Sequence, residues 1–270
     1  MIANYHTHTY RCHHAAGSET AYIETAIRGG LKTLGFADHT PYDIPRPRPF
    51  RMAPEDLPGY VETLRALAAR CRDRIEIRIG VEAEYYPALF PSHLGLLRDS
   101  GVEYMILGQH FLGNETDEPY AGRETADVRV LERYAEQSAE ALHTGLFTCF
   151  AHPDLIHFLG SERAYERQML RLCEAAKATD TPLEINLLGI REGRHYPDER
   201  FWAIAGAVGN TVVLGADAHA PEDVCDLASE KKALDLVSRY SLRLTETVPL
   251  RRLDAAGRTQ SGARPWKPSR

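Results

Sequence analysis

Imidazoles and carboxylates recur at short spacings along this chain of 270 residues, which carries 12 histidines. His6-Thr7-His8 stands near one end and Asp217-Ala218-His219 near the other. On an extended strand, residues i and i+2 share a face, so each triplet presents two ligand atoms side by side. Between them come His14, His39, Glu82, His110 and His152, giving nine donors with His6, His8, Asp217 and His219. A zinc ion takes about four protein or water ligands. Nine donors therefore point to more than one divalent ion, with a carboxylate bridging. The all-nitrogen-and-oxygen set suits zinc, manganese or iron rather than an iron–sulfur cluster. Such a centre makes hydroxide available near neutral pH, because a bound ion lowers the pKa of its water to about 7.

These side chains need a scaffold that gathers distant residues. Runs at 2–4, 31–36, 75–81, 104–107, 146–150, 183–186 and 212–214 read as seven strands. Six of the histidines (6, 8, 39, 110, 152 and 219) fall at the strands' C-terminal ends. Neutral imidazoles crowded on one rim would leave buried nitrogens unpaired unless something binds them. Helical patterns fill the gaps: Tyr60, Val61, Leu64, Leu67, Ala68 and Cys71 share one helical face, and similar spacing recurs over 131–142, 165–176 and 224–237. Ser18 is an N-cap candidate and Gly29-Gly30 a stop. Strand–helix alternation implies parallel strands with right-handed crossovers. Reactive residues after nearly every strand favour a closed or nearly closed α/β barrel over an open sheet, whose chemistry would collect at one switch point.

Composition narrows the class. With 43% hydrophobic and 26% charged residues the chain is globular rather than disordered. No run approaches the ~18 apolar residues of a membrane helix, and Met-Ile-Ala-Asn-Tyr-His has neither the basic nor the apolar region of a secretory leader. Five scattered cysteines without a CxxC pair fit neither a disulfide framework nor a thiolate zinc site, so a cytoplasmic setting is expected. Cys12 and Cys149 read as small packing groups. The net charge of -6 argues against a nucleic-acid partner. Residues 1–250 read as one domain, and 251–270, with six Lys/Arg against one acid, as a basic flexible tail.

The ordered set HTHTYRCHHAAG, GFADHTP, GVEAE, LGQHF, AHPD, EINLLGIR and GADAH resembles the polymerase and histidinol phosphatase (PHP) family, in its monofunctional histidinol-phosphatase branch. The resemblance runs from Tyr5 to about Pro249. It implies a distorted TIM-like (β/α)7 barrel with a trinuclear centre at the C-terminal ends of the strands. One ion would be held by His6, His8, Glu82 and Asp217. A second would share Glu82 with His110 and His152, and a third would use His14, His39 and His219. The RCxHA arrangement selects His14 over His13. Many family members carry Asp at the place of His14, an exchange that would alter the third ion's identity or affinity.

In that branch an arginine follows the sixth strand in a Gly-hydrophobic-Arg turn, here Gly189-Ile190-Arg191, and would bind phosphate; Arg163 could add a second clamp. An arginine fork pairs bidentately with phosphate oxygens. The implied reaction is hydrolysis of L-histidinol phosphate to L-histidinol and phosphate, in histidine biosynthesis. Enzymes accelerate phosphate monoester hydrolysis by up to ~10²¹, about 28 kcal/mol, more than a lone general base supplies. The expected route is in-line attack by a metal-bridging hydroxide, with Asp38 orienting a histidine or donating a proton. Glu84, Glu115 and Asp117 are candidates to receive the substrate's ammonium, and loops 40–53 and 111–126 to cover the mouth. Three rivals stand beside this reading. An amidohydrolase would place a lysine at the fourth strand end, where this chain has Gly108-Gln109-His110. A nucleotide phosphoesterase of the same family would differ only in substrate. A silent metal-bound scaffold would be expected to have lost ligands.

Overall fold

A computed structural model describes residues 1–44, 48–115 and 119–253. Strands β1 (Ala3–Asn4), β2 (Thr33–His39), β3 (Glu76–Ala83), β4 (Tyr104–Leu107), β5 (Phe147–Phe150), β6 (Leu183–Asn186), β7 (Thr211–Gly215) and β8 (Arg243–Leu244) form one sheet in sequence order. Every pairing is parallel. All seven residues of β2 are buried, as expected of a parallel strand covered on both faces. The seven expected strands lie where the sequence puts them, within two or three residues at each end. The eighth is new: two exposed residues that pair with the start of β7.

The sheet curls until its ends meet on one side only. Beyond β1, Thr7 bridges to Ala218 beyond β7, with the His8 N–H donating to the Ala218 carbonyl at 2.9 Å. Asn4 locks this seam, its side-chain oxygen accepting from Ala216 N at 3.0 Å and its amide donating to Thr7 Oγ1 at 2.8 Å. At the opposite end β8 occupies the edge of β7. The result is a distorted (β/α)7 barrel, closed at the C-terminal ends of its strands, where the histidines are.

Helices α1 (Glu19–Arg28), α2 (Leu57–Cys71), α3 (Phe90–Ser100), α4 (Val128–His143), α5 (Glu162–Ala178), α6 (Leu187–Glu192), α7 (Glu199–Val208) and α8 (Leu227–Arg239) follow the strands. Ser18 caps α1 by accepting from Ala21 N, and Asp127, Ser161, Asp198 and Asp226 cap their helices likewise. The residues singled out by helical spacing in α2, α4 and α5 face the core, among them Tyr60, Leu64, Tyr134, Leu142, Tyr165 and Leu172. Among the described residues no helix is long and apolar enough to cross a membrane.

Residues 251–253, expected to be part of a flexible segment, pack against the barrel. Leu253 is buried, Arg251 donates to the Thr179 and Asp180 carbonyls, and the Leu253 carbonyl accepts from Arg98 Nε at 2.7 Å. Residues 254–270 lie outside the described residues.

Candidate metal centre

The extension of β1 carries His6 and His8 into the barrel mouth, both fully buried. His6 Nδ1 lies 3.0 and 3.1 Å from the two oxygens of Glu184, on β6, and must donate its proton there. His8 Nδ1 lies 3.5 Å from Asp38 Oδ1. Asp38 itself is immobilised by the N–H and hydroxyl of Thr9 and by His39 N at 2.9 Å. Both imidazoles therefore aim their Nε2 atoms inward, 3.1 Å apart.

Glu82, at the end of β3, stands in the middle. One oxygen is 2.9 Å from His152 Nε2 and 3.4 Å from His110 Nε2; the other is 3.0 Å from His39 Nδ1 and 3.6 Å from the Nε2 of both His6 and His8. Asp217 completes this side, with Oδ1 3.1 Å from His8 Nε2 and 3.4 Å from His6 Nε2. Two glycines make room: a Cβ on Gly108 would stand 2.0 Å from Glu82 Oε1, and one on Gly215 2.1 Å from Glu184 Oε2.

The outer side of the mouth decides what the cluster is for. His14 Nδ1 sits 2.7 Å from the Cys12 carbonyl, and His219 Nδ1 3.1 Å from that of Asp217. A carbonyl only accepts, so both Nδ1 atoms carry hydrogen and neutral rings leave both Nε2 atoms bare. Those two lone pairs face each other at 3.0 Å. His6 and His8 bring their Nε2 atoms equally close, at 3.1 Å, with Asp217 Oδ1 beside both. Such a contact is repulsive unless a cation stands between or a proton is shared. Buried Glu82 Oε2, Asp217 Oδ1 and His39 Nδ1 likewise have no hydrogen-bond partner. The donor set fits divalent metal ions on both sides of the mouth, and groups such as His6–His8–Glu82, His6–His152–Asp217 and His8–His39–His219 have donor atoms within 4.8 Å of one another.

Charge in the cluster is polarised accordingly. Burial pulls His6 down, but Asp217, Glu184 and Glu82 hold it well above the ordinary histidine range; burial and then Asp217 and Asp38 act likewise on His8. Burial depresses His39 to about 4, and burial with the neighbouring His8 takes His219 to about 2. Burial pushes Glu82 and Asp217 up, yet the surrounding imidazoles keep both well below the carboxylate range.

Backbone strain marks two of these positions. His152 has φ 32° and Asp217 φ 44°, left-handed values that side-chain-bearing residues avoid. The Asp217 turn is held by Asn186, whose amide donates to Asp217 Oδ2 at 3.0 Å and to Glu184 Oε1 at 2.8 Å. The same residue's oxygen caps α6 through Gly189 N.

All nine expected donors therefore meet at one mouth, and Asp38 Oδ1 lies 3.5 Å behind His8 Nδ1. The two expected phosphate arginines do not line the cavity of about 310 Å³ that opens above the cluster. Arg191 is turned aside by Asp223 and Asp226, at 3.2 and 3.7 Å, and Arg163 is exposed in the first turn of α5. Arg194, which sequence reasoning missed, does line it, donating to the Tyr196 hydroxyl at 2.9 Å. Glu184 and Asn186 were missed too. Phe50, Phe111 and Tyr120 form an aromatic wall, so both expected loops do reach the mouth. Glu84 and Glu115 are not free to receive an ammonium, since Arg51 binds both at 3.1 and 3.0 Å. Asp117 lies outside the described residues. Cys149 packs in the barrel interior as expected, whereas buried Cys12 brings its sulfur within 4.8 Å of donor atoms of His14 and His219.

A protein of Deinococcus radiodurans named probable histidinol-phosphatase is 30% identical over 83% of this chain and 88% of its own length. One of the same name from Schizosaccharomyces pombe is 25% identical over 92% and 91%. The crystal structure of a histidinol phosphate phosphatase from Lactococcus lactis, complexed with zinc, L-histidinol and phosphate, superposes with a TM-score of 0.72 at 18% identity, covering 92% of this chain and 96% of that one. A Listeria monocytogenes structure gives 0.71, also at 18% identity, over 84% and 99%; both likenesses show the fold. The model of the PHP domain matches residues 4–187, and the chain belongs to the PHP domain family.

Proposed function

We propose that this protein is a metal-dependent phosphomonoesterase that hydrolyses L-histidinol phosphate to L-histidinol and phosphate. The observation that carries the chemistry is the pair of inward-facing imidazole couples, His6–His8 and His14–His219, at 3.1 and 3.0 Å around Glu82 and Asp217. The substrate is supported by the names of the two relatives and by the ligands of the Lactococcus lactis structure.

His6, His8, Glu82 and Asp217 would hold one ion, Glu82 with His110 and His152 a second, and His14, His39 and His219 a third. Bound there, zinc, manganese or iron would supply an activated water and neutralise the phosphate's charge. The chain's own residues do the rest. Glu184 keeps the proton of His6 on its outer nitrogen, and Asp38 Oδ1 stands 3.5 Å from that of His8. Arg194 stands on the cavity wall, where its guanidinium would face the phosphate oxygens, while Arg191 braces the Asp217 turn, its Nη2 3.4 Å from the Asp217 carbonyl. Phe50, Phe111, Tyr120 and Tyr196 would sequester the planar ring of the alcohol and exclude bulk water. With five cysteines unpaired, a reducing cytoplasmic setting suits the chain.

The test is phosphate release by protein reconstituted with Mn²⁺ or Zn²⁺, comparing L-histidinol phosphate with mononucleotides and an aryl phosphate. Preference for histidinol phosphate by at least tenfold in kcat/KM is expected, with Arg194→Ala raising KM. Preference for a mononucleotide would transfer the assignment to a nucleotide phosphoesterase, and inactivity of fully metallated protein would leave a binding scaffold.

A further inference from the structure

The side chain of Arg51 is fully buried, at the end of the first mouth loop. Its Nη2 lies 3.1 Å from Glu84 Oε1 and 3.0 Å from Glu115 Oε2, its Nε donates to Glu115 Oε1 at 3.3 Å, and its Nη1 to the Thr40 carbonyl at 2.8 Å. Burying a guanidinium is costly unless its donors are satisfied, and a buried arginine between two carboxylates must hold its geometry. The three partners belong to different parts of the mouth. Thr40 begins the same loop, Glu115 lies in the second loop, and Glu84 follows β3 two residues after Glu82.

Glu84 makes the link to the centre. The same Oε1 atom that binds Arg51 accepts from His110 Nδ1 at 3.0 Å, leaving His110 Nε2 bare toward Glu82 at 3.4 Å. On its other flank Arg51 lies 4.6 Å over the ring of Phe50, which meets His39 edge-on at 5.1 Å and stacks on Phe111 at 5.9 Å. One guanidinium thus sets the orientation of a ligand imidazole and the position of the aromatic wall.

We infer that Arg51 is a positioning residue that fastens both mouth loops to the carboxylate behind His110, so that the closed mouth and the ion on the His110 side are set together. The inference rests on the metal reading above. A residue that merely knit the loops would leave ion retention untouched.

The experiment uses full-length wild-type protein, Arg51→Met, Arg51→Lys and Glu115→Gln. Each is loaded with Zn²⁺, dialysed against graded chelator and assayed for zinc per chain by elemental analysis, then for KM and kcat with an aryl phosphate. Arg51→Met should release one ion at a chelator strength about 10- to 100-fold lower than wild type, the usual effect of losing a group behind a ligand, and should raise KM. Arg51→Lys, which keeps the charge but not the fork, should fall between. Glu115→Gln breaks only the loop contact, so it should raise KM and keep wild-type ion retention. Wild-type ion retention in folded Arg51→Met overturns the inference, whatever its KM. Where Arg51→Met does not fold, the same result in Arg51→Lys overturns it. A wild-type chain that retains no zinc removes the metal reading itself, and this inference with it.

Discussion

At the scale of single residues, the proton on the outer nitrogen of each imidazole decides whether the inner nitrogen can serve as a ligand. Glu184 does this for His6, 178 positions away in sequence, while Asn186 and Gly215 keep Glu184 in place. Glu184→Gln offers one carbonyl oxygen where two carboxylate oxygens now accept. Ion affinity should fall about 10- to 100-fold with far-UV circular dichroism unchanged, as chelator competition would measure; equal affinity would show that His6 needs no such partner. Eight of the nine donors were legible because they form doublets or stand at strand ends, where residue type and period speak together; His14, in a loop, was picked out only by the family resemblance. Glu184 has no such signature: one carboxylate in Leu-Glu-Ile-Asn looks like any strand residue until His6 is brought against it. The arginines failed for a related reason. Arg191 and Arg194 are three positions apart around the end of a six-residue helix; Asp223 and Asp226 draw Arg191 aside, while Glu192, itself on the cavity wall, pairs with Arg194 at 2.7 Å.

At the scale of elements, strand positions were readable because parallel strands are continuous apolar runs and the helices between them keep one apolar face. The two-residue β8 has neither property, both residues being exposed. Connections between elements depend on buried polar contacts that no local pattern announces. Asp154, after β5, is an example: one of its oxygens accepts from Asp198 N at 2.7 Å and from Trp202 Nε1 at 2.9 Å, tying the β5 loop to α7. Burial raises this carboxyl to about 7. An acid whose folded value exceeds its unfolded value of about 3.9 binds more protons in the folded state between the two. Stability is then greatest below about pH 4, declines as pH rises to about 7, and is level above. Asp154→Asn can keep both bonds through its own oxygen without becoming charged. Denaturant titrations should find it close to wild type at pH 4 and more stable at pH 8, by on the order of 2–4 kcal/mol. A difference independent of pH would mean that Asp154 is charged in the folded protein.

For the whole molecule, the donors come from the ends of β1, β2, β3, β4, β5 and β7 and the loop after β1, so bound ions would staple together a barrel whose seam beyond β1 and β7 is a short one, the Thr7–Ala218 bridge with the hydrogen bonds of Asn4 and the neighbouring backbone. Ligand binding to the folded state alone adds about 4 kcal/mol at a thousandfold excess over Kd, or some 8–16 °C in Tm for a domain of this size. The pH dependence of that gain follows from the imidazoles. In metal-free protein, burial lowers His6 and His8, but the facing carboxylates raise both well above their unfolded value. Their contribution is full below about pH 6.5 and is lost as pH rises toward the folded values. His39 and His219, pushed down to about 4 and about 2, give the opposite slope. Theirs is half complete near pH 6.5 and ends by about pH 7.5, where the unfolded imidazoles have lost their protons, so it cannot offset the loss above that. Metal-free protein should therefore lose Tm between pH 7 and 9. Loaded protein should not, because ions occupy the same lone pairs and compete with protons less as pH rises. Scanning calorimetry of both forms should show the gap in Tm widening with pH; a constant or narrowing gap would mean that the imidazoles facing one another across the mouth are not the groups the ions occupy.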